Sequence, residues 1–188
     1  MLLLIIGLAM WSGLHFIPST AISYRARLIG KWGETKYQII FSVLIVASIA
    51  VMVLGWRSIV PVAIYTPPEW SGLITGLLVF ITFILFSAAN SKSNIRRFVR
   101  HSQLSGLIIW SIAHLLSNGD NRSLILFGAL GAWAVAEIIF INKREGDWVK
   151  PGPASIRSEL FMVIKGVAMF TVFFLAHPYL FGVSPIAQ

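Results

Sequence analysis

The chemistry open to this chain is bounded by four histidines, His15, His101, His114 and His177, and by the absence of cysteine. Without a thiol there is no disulfide, no iron–sulfur cluster, no thiolate-ligated haem and no covalent c-type haem attachment. A metal would have to be held by His, Met, Tyr or a carboxylate. Successive histidines are separated by 86, 13 and 63 positions, so the His-x-x-x-His spacing of a helical zinc site is missing. There is no Gly-x-Ser-x-Gly elbow and no phosphate loop. A pair of closely spaced carboxylates in the apolar segments is likewise lacking, which leaves hydrolytic chemistry without a starting point.

The elements that must position these side chains are membrane helices. Of 188 residues, 57% are apolar and 12% charged, with mean hydropathy +0.82. Soluble domains carry about twice that share of charge. Six apolar stretches are separated by polar breaks: 2–18, 38–56, 71–89, 104–117, 123–142 and 160–181. The expected fold is all-α, a polytopic helical bundle of about six transmembrane helices forming a single domain over 1–188. The fourth stretch is short for a ~30 Å hydrocarbon core and on its own reads as a re-entrant or buried helix. The first, which has no basic residue before its apolar core and carries His15, reads as a retained helix rather than a signal peptide.

A net charge of +8 would suggest nucleic acid in a soluble chain, but here the bases fall in loops. Twelve of the fifteen lie in the first, third and fifth loops, and only Arg57 and Arg122 in the second and fourth. Basic loops stay cytoplasmic, which places both termini outside and anionic phospholipids against the basic loops. Lys165 falls inside the sixth stretch.

Ionisable groups within the bilayer are costly and mark candidate sites. At ~1.5 Å per residue, His114 comes out near the midplane and His15 roughly 20 Å in from the outer face, at similar depths on separate helices. That suits two neutral imidazoles on either side of a haem plane. The alternative is that each histidine hydrogen-bonds a serine or a carbonyl on a neighbouring helix. Helical spacing puts Trp11, Ser12 and Ser19 on the face of His15, and Gly106, Trp110 and Ser117 on that of His114. Gly106 would leave room for a flat macrocycle and Trp110 would wall it, with Ser12 and Ser117 as local partners for the rings. His101 lies in a basic cluster at the mouth of the fourth helix, and His177 near the outer surface. Glu137 and Lys165 come out at similar depths, so an ion pair between the fifth and sixth helices is expected. Asp120, in Asn118-Gly119-Asp120-Asn121, reads as turn chemistry.

Two blocks then carry a resemblance. One is His15-Phe16-Ile17-Pro18-Ser19 with Arg25, Gly33-Glu34 and Tyr37. The other is Arg100-His101-Ser102-Gln103-Leu104-Ser105-Gly106, Trp110, Ala113-His114-Leu115-Leu116, Asn118-Gly119-Asp120 and Leu126-Phe127-Gly128. With His177-Pro178-Tyr179-Leu180-Phe181-Gly182 they resemble the NnrU family of bacterial membrane proteins and its relative, zeta-carotene isomerase. Ser102 stands where the family commonly has proline. The resemblance implies a b-type haem whose iron is held by His15 and His114, in the bacterial cytoplasmic membrane. It also implies a redox or nitric-oxide-responsive role in nitric oxide and nitrite metabolism, with nitric oxide or an apolar small molecule as ligand. Two other readings stand beside it, a haem-dependent cis-trans isomerase of polyenes and a non-haem accessory protein.

The charge split is tested by reporter fusions. A fusion after Gln188 should score outside and one in the 92–100 loop inside, and the reverse pattern would overturn the orientation.

Overall fold

The computed structural model describes residues 1–185, which contain seven α-helices, one 3-10 turn and a single isolated β-bridge. The helices are α1 (Leu2–Thr20), α2 (Ile22–Trp32), α3 (Glu34–Arg57), α4 (Ser71–Ala89), α5 (Ser102–Ser117), α6 (Asn121–Glu145) and α7 (Ile156–Phe181). Five of them, α1, α3, α4, α6 and α7, are long and apolar enough to cross a membrane. At 16 residues, α5 is ~24 Å long, short of a ~30 Å core. Leu73, Leu175 and Val172, at 83, 64 and 62% exposure, form part of an outer surface suited to lipid tails rather than water.

Side-by-side contacts run in the order α3, α1, α6, α5, α4, α7, so α5, the fourth expected stretch, is enclosed between α4 and α6. Burial between two longer neighbours is why so short a helix persists. Close approach along this arc uses small residues and hydroxyls, as helices in lipid do. A Cβ on Gly55 would run into the Leu4 backbone nitrogen, and one on Gly7 would meet the Met52 side chain at 2.6 Å, so α1 and α3 nearly touch. Thr82 donates to the Gly106 carbonyl at 3.1 Å and Thr75 to that of Ala113 at 2.9 Å, joining α4 to α5. Ser87 donates to the Met162 carbonyl at 2.6 Å, joining α4 to α7. Leu4, Leu8, Met52 and Leu130 form an apolar core between α1, α3 and α6.

The first basic loop departs from expectation, because most of it folds as α2. Ile22, Leu28, Ile29 and Trp32 share one face at helical spacing, with Arg25 among them and Arg27 and Lys31 opposite, an amphipathic pattern that lies along an interface rather than through it. Arg25 lies 3.4 Å from Glu34 and 5.5 Å from the Tyr37 ring centroid, tying α2 to the start of α3.

The opposite end is closed by residues 58–70 folding over the α5–α6 turn. Ala63 bridges to Asp120, the Gly119 carbonyl accepts from the Ile64 nitrogen at 2.7 Å, and Tyr65 donates to the Leu115 and Asn118 carbonyls. Burial, together with the nearby Asp120 carboxylate, pushes the Tyr65 phenol pKa up. Asp120 caps α6, accepting from the backbone of Arg122 and Ser123 at 3.1 and 3.0 Å. The expected turn role of Asp120 is thus a helix cap.

Replacing Gly55 by Leu should lower stability in detergent by ~1–3 kcal/mol or more, because the obstructing atoms are backbone. Gly128→Ala, with no atom in its way, should be neutral or gain a few tenths to ~1 kcal/mol. Equal thermal shifts for the two would contradict the α1–α3 contact.

Candidate functional site

His15 sits two-thirds of the way along α1, where three helices turn aromatic side chains toward it. Its ring centroid lies 4.2 Å from Trp11 on α1, 5.1 Å from Trp133 on α6 and 5.8 Å from Phe41 on α3. Nδ1 is 2.9 Å from the Trp11 carbonyl oxygen one turn back. A carbonyl can only accept, so Nδ1 carries the proton and Nε2 the lone pair. One turn further along, Ser19 donates to the Glu137 carboxylate at 3.0 Å. Trp133 and Glu137 are four apart on α6, as His15 and Ser19 are on α1, so two rungs join the same faces of both helices.

These rungs border a cavity of about 540 Å³ between α1, α4, α5 and α6. Its inner wall includes Trp11, His15, Trp133 and Glu137, and its basic end Arg96, Arg100 and His101. That volume is typical of small-molecule sites. A second cavity of about 470 Å³ shares Arg96, Arg100, His101 and Ile141 and continues to Glu145, Asp147 and Trp148. His101, whose Nε2 is 2.8 Å from Asn142 Oδ1, therefore stands where the two spaces meet.

His114 lies elsewhere. Its Nδ1 is 2.9 Å from the Trp110 carbonyl oxygen, which fixes the same tautomer as in His15, and its ring packs on Trp110 at 4.5 Å and Phe127 at 4.6 Å. It does not line the cavity that His15 lines. Phe127 and Trp133 are six residues apart on α6, which is ~9 Å of rise and roughly 120° of rotation. Leu130, midway between them, is buried against Leu4 and Leu8, and both Trp11 and Trp110 pack on that core. The structure thus gives each histidine the tautomer a metal ligand needs, and seats His15 among Trp11, Trp133 and Phe41 and His114 against Trp110 and Phe127. His15 opens on the cavity between α1, α4, α5 and α6, and His114 is not part of its lining.

Other expectations also change. Gly106 leaves no slot, since a Cβ there would lie 2.9 Å from the Phe86 ring, and the glycine serves close packing of α5 on α4. The rings are oriented by backbone carbonyls rather than by Ser12 or Ser117, and Ser117 lies 2.5 Å from Thr75 instead. The Glu137–Lys165 ion pair does not form. Glu137 faces Ser19, while Lys165 donates to Ser91 at 2.8 Å, because α7 packs on α4 and not on α6. His177 Nδ1 is 2.7 Å from the Val183 carbonyl oxygen near the end of α7, away from both cavities. Trp133, Phe41 and the Ser19–Glu137 rung were not singled out together in the sequence. The signal that could have found the rungs is the shared spacing of four in His15/Ser19 and Trp133/Glu137.

The sequence matches the family model described as "NnrU protein" over residues 3–185. The chain belongs to the NnrU family. No curated protein and no solved structure matches it. Among the described residues of this NnrU protein, no group of three or more histidine or carboxylate side chains is placed to hold a metal ion.

The two charges should act independently. Glu137→Gln and Lys165→Met, measured singly and together by thermal unfolding in detergent, should be additive within about 0.5 kcal/mol. A coupling above ~1 kcal/mol would restore the ion pair.

Proposed function

We propose that this NnrU protein is a b-type haem protein of the cytoplasmic membrane, with the cavity between α1, α4, α5 and α6 as its site and His15 as the iron ligand. The observation that carries the reading is the His15 ring itself. It is held between Trp11, Trp133 and Phe41, carries its proton on the carbonyl-bonded nitrogen, and lines a cavity of ligand size. A bound haem supplies electron transfer and diatomic-gas binding at its iron.

The chain's own residues do the rest. The Trp11 carbonyl fixes the imidazole tautomer, and so keeps the Nε2 lone pair available for a metal. Trp11 and Trp133 pack against the ring on two sides. Ser19 holds the Glu137 carboxylate one turn toward the basic end, where Arg144 also reaches across to the Pro18 carbonyl at 2.6 Å. By the distribution of bases, this end faces the cytoplasm. With His15 as the protein ligand, the rest of the cavity would leave room for an exogenous molecule beside a bound haem. That supports the nitric-oxide-responsive role in nitric oxide or nitrite metabolism.

Visible spectra of the purified full chain titrated with haem test the reading. Wild type and His114→Ala should bind haem with similar spectra, while His15→Ala should lose at least tenfold in affinity, the usual cost of removing a metal-site contact. Unchanged binding in His15→Ala, or no binding in wild type, would overturn it.

A further inference from the structure

The basic end of the cavity carries a charge that the protein itself does not satisfy. Of the two arginines there, Arg100 is engaged, donating to the Gly146 carbonyl at 2.8 Å and lying 3.2 Å from Glu145. Arg96 is different. It lines both cavities, is exposed, and makes one long bond of 3.4 Å to the Ser91 carbonyl. Among the described residues no carboxylate lies within ion-pair distance of it. The 3-10 turn Asn94–Arg97 that carries Arg96 is itself fixed. Ser93 donates to Glu159 at 3.1 Å, the Asn94 backbone donates to the same carboxylate, and Asn94 and Ala154 exchange bonds of 3.4 and 3.0 Å. A guanidinium held at a cavity mouth with most of its donors unspent is placed for an anion.

Beyond it the walls change character. Trp11, Trp133, Phe86, Leu104 and Leu107 line the interior, with His15 and Glu137 as its polar groups. A small inorganic anion would use the mouth and leave these walls bare. A neutral apolar molecule would fill the interior and leave Arg96 unpaired. Only a molecule with an apolar body and an acidic end meets both.

We propose that Arg96 is the anion-binding group of this cavity, and that its ligand is an amphipathic carboxylate whose acid end pairs with Arg96 while its body lies among Trp11, Trp133 and Leu107. This rests on reading the cavity as the ligand site. Two sources share the chemistry: a porphyrin dicarboxylate such as haem, and a long-chain fatty acid from the surrounding bilayer.

The test uses the full chain and Arg96→Gln in nanodiscs of zwitterionic lipid, with haem, haem dimethyl ester, oleate and oleyl alcohol as probes. Haem binding is read by visible absorption, and the others by their effect on tryptophan fluorescence. Wild type should bind haem about tenfold tighter than its ester, and Arg96→Gln should abolish that preference while binding the ester as before. Equal affinity of wild type for acid and ester overturns the proposal. So does an equal loss of both in Arg96→Gln, which would make Arg96 a support of the cavity's shape rather than a reader of charge. If wild type takes neither porphyrin, the haem reading fails by itself and the lipid probes decide. Oleate bound about tenfold more tightly than oleyl alcohol, with the difference lost in Arg96→Gln, sustains the mouth. Absence of that difference overturns it.

Discussion

The site depends on how α1 is held against α6. Two rungs do this, the ring contact of His15 with Trp133 and the hydrogen bond from Ser19 to Glu137, each separated from the other by one turn on both helices. In hydrocarbon neither an imidazole nor a carboxyl group is tolerated without a partner. The rungs therefore fix both the rotation of α1 and its register along α6. A shift of α1 by one residue would turn His15 about 100° away from the cavity and strand Glu137.

The cavity is a consequence of the short α5. Its neighbours α4 and α6 have 19 and 25 residues against its 16, and the deficit falls partly at the basic end, where Ser102, Gln103 and Leu104 border the open space. Elsewhere α5 is tightly held, by threonine bonds to two of its carbonyls from α4 and by Gly131 of α6, where an added Cβ would lie 3.0 Å from the Ser111 side chain. The space at its start is bordered by the segment between α4 and α5, which brings Arg96, Arg100 and His101 to the mouth. Tight packing from Gly106 onward and an opening at the first turn thus occur on one short helix between longer ones.

Much of this was legible in the sequence where the signal is local. Six apolar stretches located α1, α3, α4, α5, α6 and α7, five of them long enough to span, the charge split distinguished the two ends, and His15 stood out because an ionisable group in an apolar run is costly. What was not legible is non-local. Depth counted from helix ends put His15 and His114 at similar levels, whereas the α6 residues they pack against, Trp133 and Phe127, lie ~9 Å apart along that helix and about 120° apart around it. The Glu137–Lys165 pairing failed for the same reason, since sequence order does not say that α7 packs on α4. The interfacial helix α2 was hidden because its bases were counted as loop charge, although its apolar residues recur at helical spacing. His101 was read as a member of a basic cluster, and it takes the neighbouring turn and α6 to place it between two cavities.

Electron paramagnetic resonance of the ferric haem-loaded full chain tests the central claim, that His15 opens on the cavity without His114. A single imidazole ligand with an open or weakly occupied opposite face gives a high-spin axial signal, whereas two imidazoles give a low-spin rhombic one. The account expects the high-spin signal in wild type, unchanged in His114→Ala. A low-spin signal that converts to high spin in His114→Ala would contradict it and show that the two histidines share one macrocycle.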